Sequence, residues 1–166
     1  MTSSSLHFQS HSESDTDQLG ICLAAAVVPG LVVALNGQLG SGKTRLVRAV
    51  CQALGADVTR VNSPTFVIMQ FYPDGRIPVV HMDTYRLGDP EEFLAIGADE
   101  YLHGGHYLCF VEWADRIQDV IPADHITVNI SQTGVEGRLF EFSASGSMSE
   151  GVLQDLKARL NRGGFA

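Results

Sequence analysis

The apolar positions of this 166-residue chain follow two different spacings, which predict alternating strands and helices. Short apolar runs or alternating segments predict strands at 31–35, 65–72, 77–82, 107–111, 125–130 and 138–142. Apolar residues at helical spacing and helix-start signals predict helices at 14–27, from the end of a glycine-rich loop to 54, at 89–96 and at 149–160. A further short turn is expected near 99–102. The pattern is that of one α/β layer structure.

Two turn signals indicate that the sheet is mixed. Pro73-Asp74-Gly75-Arg76 separates two β-rich segments, and Gln132-Thr133-Gly134 separates two others, so each predicts an antiparallel pair. Residues 1–13 are rich in Ser, His and Gln and are predicted to be a disordered tail. The domain is expected to span 14–162, followed by a short C-terminal tail at 163–166.

The composition narrows the classes of function. Hydrophobic residues make up 45% of the chain, and its net charge is −8 with only two lysines. Direct binding to nucleic acid depends on clustered Lys and Arg, and no such cluster is present in the sequence. No apolar run approaches the roughly 20 residues that span a bilayer. Three widely spaced cysteines favour buried reduced thiols, and we expect a cytoplasmic protein with no membrane contact.

The strongest candidate for chemistry is the glycine-rich loop that follows the first apolar strand. It consists of eight consecutive residues: Gly37, Gln38, Leu39, Gly40, Ser41, Gly42, Lys43 and Thr44. A strand before this motif and a helix after it let backbone N–H groups surround phosphates at the positive end of the helix. Lys43 is expected to reach the β- and γ-phosphates, and the Thr44 hydroxyl to hold magnesium. The sequence therefore predicts a P-loop NTPase fold, with three layers and a mixed parallel/antiparallel sheet, that binds a nucleoside triphosphate.

Two apolar strands end in an acid, Asp83 and Glu112. Ligands of open α/β sheets bind at the carboxyl ends of the strands, where such acids can bind magnesium or orient water. Asp83 is favoured as the carboxylate that acts through water or in catalysis, and Glu112 as the nearer metal carboxylate, but both remain metal candidates. Thr65, in the segment Ser63-Pro64-Thr65-Phe66, could contact magnesium or the γ-phosphate as switch loops do, although a plain turn is the commoner outcome.

Three other residues near these motifs are candidates for a structural or a functional role. His81 lies two residues before Asp83 and is more typical of a half-buried histidine than of a base. Trp113 could fill core or contact a partner or the nucleotide. Thr16 is most simply part of the N-cap region of the first helix.

Several of these pieces together resemble the TsaE family of small P-loop ATPases. The matching stretches occur in family order across residues 14–113: Thr16 with Leu19-Gly20, Gly37 to Thr44, Ser63-Pro64-Thr65-Phe66, His81 to Leu87, Asp89-Pro90-Glu91-Glu92, Gly97 with Glu100-Tyr101, and Val111-Glu112-Trp113. The pairing of His-x-Asp-x-Tyr-Arg-Leu with Val-Glu-Trp is far more distinctive than the phosphate loop alone. One departure is Gln38, where the family usually carries an acid.

The resemblance implies ATP and Mg²⁺ in the site, with Thr44 and Glu112 as metal contacts and Asp83 as the acid of the second strand. It also places Thr16 among the nucleotide contacts and gives Ser63-Pro64-Thr65 a switch-like role. The family acts in the synthesis of threonylcarbamoyladenosine in tRNA, together with TsaD and TsaB. The resemblance thus implies an ATPase that supports the complex and meets tRNA only indirectly.

The sequence is also compatible with two other functions. Small-molecule kinases are often P-loop proteins of this length, but they usually carry a basic lid, and residues 114–140 hold only Arg116 and Arg138. A nucleotide-gated adaptor that does not hydrolyse ATP would tolerate Asp83→Ala, whereas an ATPase would keep binding and lose function.

Overall fold

A computed structural model describes residues 4–61 and 68–164. The strands are β1 (Ser5–Ser10), β2 (Val32–Asn36), β3 (Met69–Tyr72), β4 (Val79–Asp83), β5 (Leu108–Glu112), β6 (Ile126–Gln132) and β7 (Arg138–Ala144). The helices are α1 (Glu13–Ala26), α2 (Lys43–Ala53), α3 (Pro90–Ala95), α4 (Asp99–His103) and α5 (Ser147–Arg162). Short 3₁₀ segments occur at Val58–Arg60 and Ala114–Val120. Among the described residues, no helix is long and apolar enough to cross a membrane.

The seven strands form one sheet in the order β1-β7-β6-β2-β5-β4-β3. The four central strands, β6, β2, β5 and β4, are parallel to one another. Antiparallel strands flank them, with β3 next to β4 on one edge and β7 and β1 on the other. The predicted mixed sheet is confirmed, and the carboxyl ends of the parallel strands meet at one edge of the sheet.

Alternating residues of the central strands face two separate cores. Leu31, Val33 and Leu35 belong to the core under α1, α2 and α5, whereas Val32 and Ala34 belong to the core under α3 and α4. This alternation is the consequence of the two-residue repeat of a β-strand. The result is the predicted three-layer arrangement of helices, sheet and helices.

Helix starts follow the chemistry of their capping side chains. Asp89 accepts a hydrogen bond from the Glu92 N–H at 3.0 Å, and Pro90 begins α3, as the sequence predicts. Ser12 caps α1 in the same way by accepting from the Asp15 N–H at 3.2 Å. α1 therefore begins at Glu13, one residue before the predicted start.

The prediction of a disordered tail over residues 1–13 is wrong for Ser5–Ser10. This segment is β1, an edge strand paired antiparallel with β7. Phe8 is 3% exposed, and its ring packs edge-on against that of Phe140 at 6.4 Å. The serine, histidine and glutamine content of this segment is typical of a polar tail. Leu6 and Phe8, however, lie on one face of the strand, and their burial stabilises its pairing with β7.

Candidate functional site

The glycine-rich loop lies between the end of β2 and the start of α2, as predicted. Gly42 has φ +108° directly before α2, and Gly40 has φ +78°, values that side-chain-bearing residues rarely adopt. A Cβ atom on Gly37 would lie 2.7 Å from the carbonyl oxygen of Ile130. The glycines are thus required both by the left-handed turns and by the close approach of β6.

Lys43, the first residue of α2, is buried at 5% exposure. Its ammonium group donates to the carbonyl oxygens of Gly37 and Gln38, the latter at 3.0 Å, and lies 4.2 Å from the centre of the Trp113 ring. Burial lowers the pKa of Lys43, and the negative charges of Glu112 and Asp83 oppose this effect. The loop therefore holds the buried Lys43 ammonium group against its own carbonyl oxygens.

Glu112, the last residue of β5, connects the loop to the neighbouring strand. Its Oε1 accepts a hydrogen bond from the Thr44 hydroxyl at 2.6 Å and lies 2.9 Å from His81 Nε2. The carboxylate is 2% exposed. Burial alone would raise the pKa of Glu112, but His81, Thr44 and Lys43 together hold the pKa below its ordinary value. Glu112 is therefore a buried carboxylate that stays charged.

Asp83 ends β4 and is the register partner of Glu112 across the parallel pair. It is 3% exposed, and its Oδ1 accepts a hydrogen bond from the Tyr85 N–H at 2.8 Å. Flanking residues of both strands alternate between the two cores, which places both acids on the face covered by α2. The two predicted acids are thus neighbours on the same face as the phosphate loop.

The segments that follow the two strands are tied together by Thr84. Its hydroxyl donates to the carbonyl oxygens of Trp113, at 2.6 Å, and of Glu112, at 3.1 Å. Among the described residues, Trp113 is the only non-glycine with positive φ, at +58°. Its ring packs against that of Tyr85 with centroids 4.9 Å apart. The left-handed turn therefore directs the Trp113 ring back over Lys43.

A cleft of about 410 Å³ opens in front of the loop. Its other walls come from the start of α1 and from the turn between β6 and β7, through Thr16, Glu136 and Arg138. Arg138 Nη2 donates to the carbonyl oxygen of Gly40 at 3.3 Å and so joins that turn to the loop. Thr16 is buried, and its hydroxyl lies 2.9 Å from that of Ser10.

Most predicted site residues lie together in this region. The cleft is lined by eight of them: Thr16, Leu39, Gly40, Ser41, Gly42, Lys43, Thr44 and Glu112. The carbonyl oxygens of Gly37 and Gln38 accept hydrogen bonds from Lys43, and Asp83 is the register partner of Glu112. Thr65, with Ser63 and Pro64, lies outside the described residues. Two features were missed: the His81–Glu112 contact and the Arg138 contact with Gly40. The position of His81 two residues before Asp83, on the same strand face, was a usable signal, whereas nothing in the sequence indicated Arg138.

The donor set suits magnesium better than a metal held by protein alone. No group of three or more His, Cys, Asp and Glu side chains able to hold a metal is found within residues 4–61 and 68–164. Mg²⁺ usually takes one or two carboxylates and completes its shell with waters and substrate phosphates. The Thr44 hydroxyl and the Glu112 carboxylate, with Asp83 beside them, therefore fit a magnesium ion that arrives with phosphates.

A phosphate loop between a buried parallel strand and a helix, inside a three-layer α/β domain, defines a P-loop fold. The family model described as "Threonylcarbamoyl adenosine biosynthesis protein TsaE" matches residues 10–140. The chain belongs to the TsaE family, a family of tRNA threonylcarbamoyladenosine biosynthesis proteins.

Individual relatives are similar over most of the chain. The tRNA threonylcarbamoyladenosine biosynthesis protein TsaE of Bacillus subtilis is 38% identical over 157 residues, which cover 94% of this chain and 96% of that protein. TsaE of Treponema pallidum is 36% identical, covering 73% of this chain and 87% of the relative. The crystal structure of Bacillus subtilis YdiB superposes with a TM-score of 0.79 at 30% identity and covers 95% of this chain and 97% of that one.

Proposed function

We propose that this protein is a Mg²⁺-dependent ATPase that supports the synthesis of threonylcarbamoyladenosine in tRNA together with homologues of TsaD and TsaB. Family membership supports the pathway. One contact carries the enzymatic part of the proposal: the Thr44 hydroxyl donates to Glu112 Oε1 at 2.6 Å, and the negative charge of Glu112 acts on the Lys43 ammonium group. A hydroxyl, a charged carboxylate and a lysine converge in this way where a phosphate loop binds Mg²⁺ and a triphosphate.

Each residue has a separable role in this proposal. The loop N–H groups and the start of α2 bind phosphate oxygens, and Lys43 exchanges the carbonyl oxygens of Gly37 and Gln38 for phosphate oxygens. Thr44 and Glu112 hold Mg²⁺, which would neutralise charge on the phosphates. Asp83 orients the attacking water or a water on the metal. A contact of Thr65 with the γ-phosphate stays a prediction.

Partner proteins are expected to accelerate hydrolysis because the arginines around the cleft are already engaged. Arg45 forms ion pairs with Glu13 at 3.1 Å and Asp17 at 2.9 Å, and the hydrogen bonds that it donates to the Asp17 carboxylate raise the pKa of Arg45. Arg138 is bound to the β6–β7 turn and to Gly40. An arginine supplied in trans increases phosphoryl transfer by about 10³-fold or more. We therefore expect slow hydrolysis by the isolated protein.

Electrostatics favour contact with tRNA through the partners. The net charge of −8 would repel the phosphate backbone, and a basic partner protein would be attracted to the same surface. The cytoplasm, where tRNA is modified, is the proposed location.

The function is tested by measuring phosphate release with Mg²⁺-ATP, first with the protein alone and then with purified TsaD and TsaB homologues, with and without tRNA. We expect slow turnover alone, a clear increase with the partners, and loss of turnover in Lys43→Ala. Rapid turnover without partners would contradict the proposal. Phosphorylated nucleosides or small acids among the products would favour a kinase instead.

A further inference from the structure

His81 is a buried histidine at the centre of the site, and neither the family match nor the phosphate-loop motif gives it a role. It is 0% exposed, and its Nε2 lies 2.9 Å from Glu112 Oε1. Thr44 donates to the same oxygen at 2.6 Å. The carboxylate is therefore held from two sides, by α2 and by the neighbouring strand β4.

The contact with Glu112 indicates which nitrogen of the His81 ring carries a proton. Glu112 is an acceptor, so Nε2 must carry a proton to make this contact a hydrogen bond. Within residues 4–61 and 68–164, no group is within hydrogen-bonding distance of His81 Nδ1, although this atom is buried. Nε2 is thus the ring nitrogen that contacts an acceptor, and we expect it to carry a proton.

The position of His81 along β4 explains why it reaches Glu112. Val79 belongs to the core under α2, and Val80 and Met82 belong to the opposite core, so the strand alternates regularly. His81 therefore shares a face with Asp83, and Asp83 is the register partner of Glu112. His81 lies two residues before the end of β4, where it contacts Glu112 but does not line the cleft.

We propose that His81 is the positioning residue of the metal site: its Nε2–H fixes the Glu112 carboxylate in the orientation that binds Mg²⁺ beside Thr44. This inference rests on the proposed function. Groups that orient a metal-binding side chain usually change metal affinity by about 10- to 100-fold when they are removed. His81 itself touches neither nucleotide nor metal in this scheme.

The first test compares magnesium dependence in three variants. His81→Leu removes the donor, His81→Gln keeps an N–H donor on a side chain of similar reach, and Met82→Leu is a matched control on the opposite face of the same strand. Binding is followed by calorimetry and by the fluorescence of Trp113, the only tryptophan. We expect the Mg²⁺ concentration for half-saturation of the ATP complex to rise about 10- to 100-fold in His81→Leu. His81→Gln should recover most of this loss, and Met82→Leu should match the wild type.

A purely structural role would give a different result. ATP affinity measured in EDTA should be unchanged in His81→Leu, because the loop and Lys43 bind the phosphates without His81. An equal loss of affinity with and without Mg²⁺ would overturn the positioning role. So would a failure of His81→Gln to recover magnesium affinity while it folds normally.

The second test needs no variant. The ¹⁵N chemical shifts of the His81 imidazole show which ring nitrogen carries a proton, and we expect a protonated Nε2 in the full-length protein. A proton on Nδ1 with none on Nε2 would overturn the inference even if His81→Leu did not fold.

The two proposals fail in distinguishable ways. If wild-type protein binds ATP more tightly with Mg²⁺ but His81→Leu shows the same magnesium dependence, only the role of His81 is wrong. If wild-type protein shows no magnesium-dependent binding, the proposed function and the role of His81 fail together.

Discussion

The ends of β4 and β5 carry the same sequence signal, an apolar strand terminated by an acid, but they provide different surroundings. Glu112 at the end of β5 is bonded to side chains from two other elements, Thr44 and His81, and lies close to Lys43. Asp83 at the end of β4 accepts a hydrogen bond from the N–H of Tyr85, two residues further along. The two acids are register partners and the charges of both act on Lys43, but Glu112 accepts a hydrogen bond from the loop residue Thr44 and Asp83 accepts one from the turn that follows its own strand. Burial and strand position therefore do not by themselves assign a role to an acid.

The largest effect is expected from Glu112→Gln, which keeps the volume and removes the charge. Lys43 would lose a nearby negative charge, and Mg²⁺ would lose its carboxylate ligand, so magnesium-dependent ATP binding should be lost. We expect kcat/KM for ATP to fall about 10³-fold, as for other groups that stabilise transition-state charge. Steady-state kinetics with the partner proteins measure this effect. A variant that retains wild-type magnesium dependence would show that Glu112 is not the metal carboxylate.

Asp83→Asn is the matched change at the neighbouring strand. ATP and magnesium binding should persist because Thr44, Glu112 and Lys43 are untouched, whereas kcat should fall about 10²-fold or more if Asp83 orients water. The pair of variants thus separates binding from hydrolysis. Calorimetry and phosphate release report the two quantities. If function in cells survives Asp83→Ala, the adaptor that does not hydrolyse ATP is favoured over the ATPase.

The difference between the two acids shows how far the sequence can predict this site. The loop was predictable because the glycine positions, Lys43 and Thr44 have a fixed local geometry. The two acids were predictable as strand ends, but their order of importance was left open because it depends on which strands are neighbours. Only the arrangement of β4 beside β5, and of β5 beside β2, brings Glu112 to Thr44 and His81.

The sequence failed for a different reason at the edge of the sheet. β1 was predicted as a disordered tail because its exposed residues are polar, and only Leu6 and Phe8 mark its buried face. An edge strand of six residues gains its order from pairing with β7, which is more than 120 residues away in sequence. The Arg138 contact with Gly40 is similarly long-range. Local patterns therefore predicted the phosphate loop and the β6–β7 turn, but they predicted neither β1 nor the contact between Arg138 and Gly40.

Thr84→Val tests how the two strand ends are connected. The change removes the hydroxyl that donates to the carbonyl oxygens of Trp113 and Glu112, so one or both acceptors lose a partner. We expect the free energy of unfolding to fall by about 1–2 kcal/mol. Urea denaturation measures the loss, and Ser131→Ala on the exposed face of β6 is the control with no loss. An unchanged stability would mean that the left-handed turn at Trp113 holds without Thr84.

The smallest effect is expected from changes at Asp124, an acid that lies outside the cleft and serves as a comparison for Glu112 and Asp83. It accepts hydrogen bonds from the Met148 and Ser149 N–H groups, both at 2.9 Å, and so caps α5. Partial burial raises its pKa, but the hydrogen bonds from Ser149 and Met148 outweigh burial and hold the pKa below its ordinary value. Because the folded-state pKa is the lower one, the stabilisation is present above the unfolded pKa and is lost as the pH falls through the folded value.

Asp124→Ala should therefore lower the free energy of unfolding by about 1 kcal/mol at neutral pH, as is typical of a lost helix cap. The difference from wild type should narrow as the pH falls below about 4, because the wild-type carboxylate then becomes protonated. Asp124→Asn keeps an oxygen acceptor and should retain most of the stability without this dependence on pH. Urea denaturation across that range measures both variants, and ATP hydrolysis should match wild type in each. A loss of hydrolysis in Asp124→Asn would mean that an acid outside the cleft also affects the reaction. The effects of the Glu112 and Asp83 variants could then not be attributed to their positions at the strand ends.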